Sequence, residues 1–188
     1  MRIISGVFRG KKIQESKDIK TRPLKDLAKE SIFNIIIHSN KFEINLENSN
    51  ILDLFSGVGS FGIECLSRGA KKVTFVENYN GVLPILKKNL TDLKLIKNYL
   101  IIEKDIHDSN VLLKLENKFN IIFLDPPFKD KNLDKILINI KDNDLLDKNG
   151  IIIVHRHKSE KDIFSKNFKI IEKKKYGISK IMFLSHLD

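Results

Sequence analysis

The segment "NIIFLDPPFKD", residues 120–130, is an apolar run that ends on an acid followed by two prolines and an aromatic residue. The ordinary reading is a turn, because proline ends a strand and Asp is common in turns. The chemical reading is a rigid edge. Pro126 and Pro127 have fixed φ and no N–H, so the loop is stiff and the Pro126 carbonyl has no donor on its own residue. Asp125 adds a carboxylate and Phe128 an aromatic face. On this reading the segment is a pocket edge that holds a carboxylate, backbone carbonyls and one aromatic ring in fixed relation.

A second group lies in "LDLFSGVGSFGIECL". Gly57, Gly59 and Gly62 satisfy G-x-G-x-x-G, a spacing that allows a tight turn and close approach of a ligand to the backbone. Glu77 follows at the end of the next apolar run, where a ribose-binding acid is expected. A nicotinamide dinucleotide therefore competes as ligand. Against it stand Asp53 and Ser56 at the bend, since an acid there repels a diphosphate. S-adenosylmethionine (SAM) has an ammonium, a carboxylate and a sulfonium but no phosphate. A third acid, Asp105 in "IIEKDIHD", can accept from an adenine amino group. Any one of these acids could simply cap a helix. Their joint placement after three successive apolar runs favours SAM.

These residues need a frame that brings them to one edge. "ILDLF", "KVTFVE", "YLIIE", "NIIFLD" and "GIIIVH" are short runs apolar on both faces. "SFGIECLSRGA", "NGVLPILKKNLTDLK" and "NLDKILINIKD" lie between them with helical spacing. That alternation predicts a parallel sheet built from βαβ units. "FKIIEKKKYG" and "ISKIMFLSH" meet at Tyr176-Gly177 and predict an antiparallel hairpin. Upstream, "RIISGVFRGKKI" predicts two short strands around Ser5-Gly6. "TRPLKDLAKESIFNIIIHS" predicts a helix capped by Thr21 with Pro23 in its first turn. "NKFEINLENSN" reads as a linker. The expected organisation is a basic extension over residues 1–49 and an α/β core over 50–188.

The 188 residues carry 34 Lys and Arg against 24 acids, a net charge of +10, which points to a polyanionic partner, nucleic acid first. Arg2, Arg9, Lys11 and Lys12 concentrate that charge at the front. Cys65 is the single cysteine, so no internal disulfide can form, and it reads as a small core residue. The five histidines and Cys65 show no zinc spacing. No apolar run is long enough to span a membrane, and the first residues lack the apolar stretch of a signal peptide. The expectation is a cytoplasmic protein with no membrane contact.

Taken together, "RIISGVFRGKKI", "TRP" followed by "ESIFNII", "LDLFSGVGSFGIECLSRGA" and "IIFLDPPF" resemble the RsmD family over nearly the whole chain. Those are bacterial methyltransferases acting on the N2 amino group of a guanine in small-subunit (16S) ribosomal RNA. The glycine loop and the Asp-Pro-Pro-Phe motif are shared with a wider superfamily; the front segment and the TRP helix narrow the likeness. The resemblance implies a Rossmann-like fold with a mostly parallel seven-stranded sheet whose last strand is antiparallel. It implies SAM held by Asp53, Phe55, Ser56, Gly57, Gly59, Ser60, Glu77, Asn78, Asp105 and Ile106. It implies a base held by Asp125, Pro126, Pro127 and Phe128, RNA phosphates met by Arg2, Arg9, Lys11, Lys12 and Arg22, and no metal. The expected partner is small-subunit ribosomal RNA within a ribosomal particle, met by a monomer. One departure is His155 in "IIIVHRHK", where the family commonly has glutamate. No role follows for it from the sequence, and His157 reads as surface. Two rivals remain: an amino methyltransferase of the same fold acting on DNA adenine N6, cytosine N4 or a protein glutamine, and a non-catalytic RNA-binding protein.

Overall fold

The computed structural model describes residues 1–17, 24–94, 97–162, 164 and 168–187. Five strands follow the predicted apolar runs: β1 (Asn50–Leu54), β2 (Lys72–Val76), β3 (Tyr99–Ile102), β4 (Phe119–Leu124) and β5 (Leu146–His157). β6 (Phe168–Tyr176) and β7 (Ser179–His186) form the expected hairpin. The sheet has seven strands in the order β3-β2-β1-β4-β5-β7-β6, parallel from β3 through β5, with β7 antiparallel to both neighbours. The Rossmann-like expectation is met.

Burial on both faces explains the unbroken apolar runs. Ile51, Phe123 and Ile153 point into one hydrophobic layer, and Leu52, Leu124 and Val154 into the other. The first layer lies under α1 (Asp26–His38), α2 (Ser60–Ser67) and α3 (Leu83–Asp92). The second lies under α4 (Ser109–Leu113) and α5 (Leu133–Asp142). Edge strand β3 lacks full cover, and its residues are only partly buried or exposed. Stacked rings of Phe33, Phe61 and Phe123, at 5.3 and 4.1 Å between centroids, run from α1 through α2 to β4. Among the described residues, no helix is long and apolar enough to cross a membrane.

The front segment is tied down by unexpected polar groups. Its legs meet at one antiparallel bridge, Arg2 to Lys12, and the turn between them runs through Gly10, longer than one centred on Ser5-Gly6. All residues of α2 are buried, including Glu64 and Ser67 one turn apart. Glu64 accepts from the backbone N–H of Ile4 at 2.8 Å and of Ser5 at 2.9 Å, and pairs with Arg68 at 2.9 Å and Lys29 at 3.5 Å. Ser67 Oγ donates to Ser5 O at 2.6 Å and accepts from Phe8 N–H at 3.0 Å. Gly6, at φ +81°, sits where a Cβ would fall 1.8 Å from Ser67 O, so only glycine allows this approach. Ile3, Phe8 and Ile13 complete the docking by joining the first hydrophobic layer.

Two other expectations shift. The first helix begins at Asp26, with Lys25 as its N-cap and no side-chain cap bond; Thr21 and Pro23 lie outside the described residues. The predicted linker contains a 3-10 turn, Leu46–Asn48, because Asn45 caps it by accepting from Glu47 N–H at 3.1 Å and Leu46 is apolar enough to bury.

Candidate functional site

The order of the strands reverses at β1, between β2 and β4, and a crevice opens beyond the carboxyl ends of strands at such a point. Here it is a cavity of about 500 Å³. Of the residues expected at a cofactor, Asp53, Phe55, Ser56, Gly57, Ser60, Glu77, Asn78, Asp105 and Ile106 line it. Asp125, Pro126, Pro127 and Phe128 line the same cavity from the β4 side. Two motifs some 65 residues apart in sequence thus share one wall, because β1 and β4 are neighbours in register, Asp53 beside Phe123.

The glycine loop is built by its own acids. Glu77 Oε2 accepts from Gly57 N–H at 2.7 Å, and Oε1 accepts from the N–H groups of Asn78 at 3.0 Å and Tyr79 at 2.8 Å. Asp53 Oδ2 accepts from Gly62 N–H at 2.9 Å, joining the end of β1 to the first turn of α2. Gly57 and Gly59 take positive φ, 55° and 86°, and so does Phe55 at 58°, a conformation rare for an aromatic residue. Gly59 does not line the cavity; it is the left-handed residue that opens α2. Gly62 lets the helix lie on the sheet, since a Cβ there would fall 2.3 Å from the Phe75 ring. Asn89, buried on α3, donates to Val58 O and Gln14 O at 3.0 Å each, linking the glycine loop to the front segment.

The charge of the cavity is negative. Burial pushes the Asp53 carboxyl well above its ordinary value of 3.8; the Gly62 N–H opposes this, while the negative charges of Asp125 and Glu77 add to it. A carboxyl raised on folding contributes stability below its unfolded pKa and loses it as pH rises through the folded one. Asp53 therefore costs the protein stability near neutrality. Asp53→Asn is expected to raise the melting temperature at pH 7, with a gain of roughly 0.5–2 kcal/mol. The gain should vanish below about pH 4, where the wild-type group is protonated in both states. Thermal unfolding of both proteins from pH 3.5 to 8 checks this; an equal gain at every pH would show that the charge is not its source.

A ligand for this cavity would have positive charge near Asp53 and polar groups elsewhere. Ser60 Oγ, buried in the wall at the start of α2, has no hydrogen-bond partner among the described residues and suits a polar ligand atom. Glu77 and Asp105 place carboxylate oxygens farther along the wall. This donor and acceptor set fits SAM. Among the described residues, no group of three or more His, Cys, Asp or Glu side chains converges as metal ligands would.

The Asp-Pro-Pro-Phe loop is held from β5 by three consecutive residues. His155 Nδ1 lies 2.8 Å from Asp125 Oδ1. Arg156, 1% exposed, donates from its guanidinium to Pro127 O at 3.2 Å and Asp130 O at 2.8 Å, while Nε donates to Asp162 at 3.0 Å. The His157 ring meets Phe128 edge-on, with centroids 4.9 Å apart. The sequence reading left His155 without a role and took His157 as surface; His155 is buried and His157 half-buried against the loop. The unusual "HRH" ending an apolar strand was the available signal. Across the cavity, His107 Nε2 lies 2.8 Å from Asp130 Oδ2, joining the loop after β3 to the loop after β4.

Arg2, Arg9, Lys11 and Lys12 are exposed on the docked front segment and do not line the cavity. Arg22 lies outside the described residues. Ser16 and Leu24, which the sequence did not single out, do line it. Cys65 is fully buried, as a core residue should be.

The pattern of the family described as "Conserved hypothetical protein 95" matches residues 1–185. Ribosomal RNA small subunit methyltransferase D of Haemophilus influenzae is 34% identical over 179 residues, which span 95% of this chain and 90% of that protein. YlbH of Bacillus subtilis, provisionally named an rRNA methyltransferase, is 33% identical over 181 residues, 95% of each chain. The solved structure of yhhF from Escherichia coli, provisionally a methyltransferase, superposes with a TM-score of 0.82 at 27% identity, covering 99% of this chain and 97% of that one. With a shared pattern along nearly its full length and relatives a third identical across nearly all of theirs, this chain belongs to the RsmD family.

Proposed function

We propose that this protein is a SAM-dependent methyltransferase that methylates N2 of a guanine in small-subunit ribosomal RNA. The observation that carries this reading is the shared cavity, where the glycine loop with its acids faces the Asp-Pro-Pro-Phe loop across about 500 Å³. The name of the Haemophilus relative supports the choice of RNA.

SAM supplies an electrophilic methyl group on sulfur. Asp53, Glu77, Asp105 and Ser60 would hold it, with its cationic groups offsetting the charge of Asp53. Pro127 O is already engaged by Arg156 and by Asp130 N–H at 2.8 Å. Pro126 O has no such donor among the described residues and stays available to the substrate amine. Asp125 accepts the other N–H. With SAM bound, the methyl would pass from sulfur, which would keep the electron pair of the broken S–C bond, to the amine nitrogen, and Asp125 would take the departing proton. Asp125 need not be a strong base, because the amine becomes acidic only as it is methylated. Holding the reactants in line contributes up to about 7–11 kcal/mol.

Arg2, Arg9, Lys11 and Lys12 meet phosphates, which position the RNA without reading its sequence. Docking through Glu64 and Ser67 presents them on a fixed support. RNA affinity should fall with salt, with a log–log slope of about −0.7 for each phosphate neutralised on a single strand. Filter binding between 50 and 300 mM salt checks this (about these limits), and a flat response would remove the segment from the interface.

The deciding experiment offers labelled SAM with undermethylated small subunits, naked ribosomal RNA and DNA, followed by mass spectrometry of the nucleosides. N2-methylguanosine in small-subunit RNA is the expected product. Label only in DNA would move the substrate to the rival amino methyltransferases, and no label at all would favour a binding protein.

A further inference from the structure

Resting on the proposed function, we propose that His155 is a positioning residue: by donating from Nδ1 to Oδ1 of Asp125, it commits the other carboxylate oxygen to the amine of the substrate base.

Register places the pair side by side. β4 and β5 are parallel with Leu124 beside Val154, so the next residues, Asp125 and His155, are neighbours at the strand ends. On its other side His155 faces Ile181 of β7. The residue is 4% exposed. Nδ1 and Asp125 Oδ1 stand 2.8 Å apart, and two acceptors at that distance would repel, so Nδ1 carries the hydrogen.

The rest of the ring has no structural excuse. Nε2 is buried with no hydrogen-bond partner among the described residues. Next to Ile181, an aliphatic side chain would satisfy the packing without burying an orphaned nitrogen. A buried polar group kept at that cost needs another reason, and the one polar contact it makes is to the acid of the loop.

That contact solves a problem the loop leaves open. The prolines and Arg156 fix the backbone at 126–130, but a carboxylate can still turn about its last bond. The terminal torsion of Asp is broad. A donor on Oδ1 stops the rotation and leaves Oδ2, which has no protein partner among the described residues. Oδ2 and the Pro126 carbonyl then form a fixed pair of acceptors for the two amine hydrogens. Asp125 touches the substrate; His155 acts only through it.

The test compares His155→Leu with His155→Asn, whose side-chain amide can donate from near the place of Nδ1. His155→Leu should lower kcat about 10- to 100-fold, with SAM affinity and RNA KM within about twofold of wild type. His155→Asn should recover kcat to within about fivefold. In wild-type protein, imidazole 15N–1H correlation should show His155 protonated on Nδ1, with that resonance moving in Asp125→Ala. This spectroscopic arm needs no substrate and holds if a variant fails to fold. Wild-type kcat in folded His155→Leu, Asn no better than Leu, or a hydrogen on Nε2 alone would each overturn the inference. An inactive wild type overturns the functional reading instead, and the spectrum still decides whether His155 donates to Asp125.

Discussion

Asp125→Ala should lower the rate of methyl transfer by about 10³-fold while leaving SAM affinity within a few-fold of wild type. The two effects separate because Asp125 lies on the β4 side of the cavity, whereas the glycine loop is held by Glu77 and Asp53. Removing the carboxylate takes one of two acceptors from the amine, so the nitrogen keeps its planar, delocalised lone pair. The loop itself should persist, since Arg156 and the two prolines hold its backbone. Asp125→Asn should fall between the two. An NH2 group replaces one of the two carboxylate oxygens, so a donor instead of an acceptor faces either His155 or the amine. Calorimetric titration with SAM beside single-turnover transfer to small subunits measures the split. Wild-type turnover by Asp125→Ala would sink the assignment of this loop; equal loss of SAM binding and rate would make Asp125 part of the cofactor site.

Arg156→Ala should be costly twice over. Its buried guanidinium bridges Asp162, Glu160 and two carbonyls of the loop after β4. Lys180 pairs with the other oxygen of Asp162 at 2.7 Å, so the cluster has more than one cation. Removing one partner of a buried ion pair costs about 3–5 kcal/mol, or a fall in melting temperature of roughly 2–4 °C for each kcal/mol in a chain of this size. The second cost is to catalysis. With its carbonyl ligands released, the loop can shift, and a displacement near 1 Å costs about 10²-fold in rate. Arg156→Lys should recover part of the stability but little of the rate, because a point charge cannot span carbonyls that the planar fork reaches together. Thermal melts and kcat below the melting range test both halves. A folded Arg156→Ala with wild-type kcat would reduce Arg156 to a structural ion pair.

How far the sequence could be read depended on the range of the forces involved. Apolar runs of four to six residues report burial on both faces of a sheet, so β1 to β4 and the core of β5 were legible, as was the β6–β7 hairpin. Glycines at 57, 59 and 62 and the acids at 53, 77 and 105 mark strand ends in a repeating order, and the βαβ pattern alone implied that they share an edge. The Asp-Pro-Pro-Phe loop carried its chemistry in four adjacent residues. Helix ends were harder. Lys25 caps α1 with no side-chain bond, so nothing local marks that start.

The amino-acid sequence by itself determined the order of strands and helices, the two loops that line the cavity and the charge of the front segment, because each is written in neighbouring residues. Only the tertiary structure decided what holds those loops still. Glu64 and Ser67 look like two polar residues in an apolar helix until the front segment's backbone N–H groups meet them. His155, Arg156 and His157 look like a polar end to a strand until β5 lies beside β4 and each reaches a different residue of the Asp-Pro-Pro-Phe loop. Hydrogen bonds between residues about 30 or 60 positions apart depend on register and packing, and no local pattern of residue types encodes either.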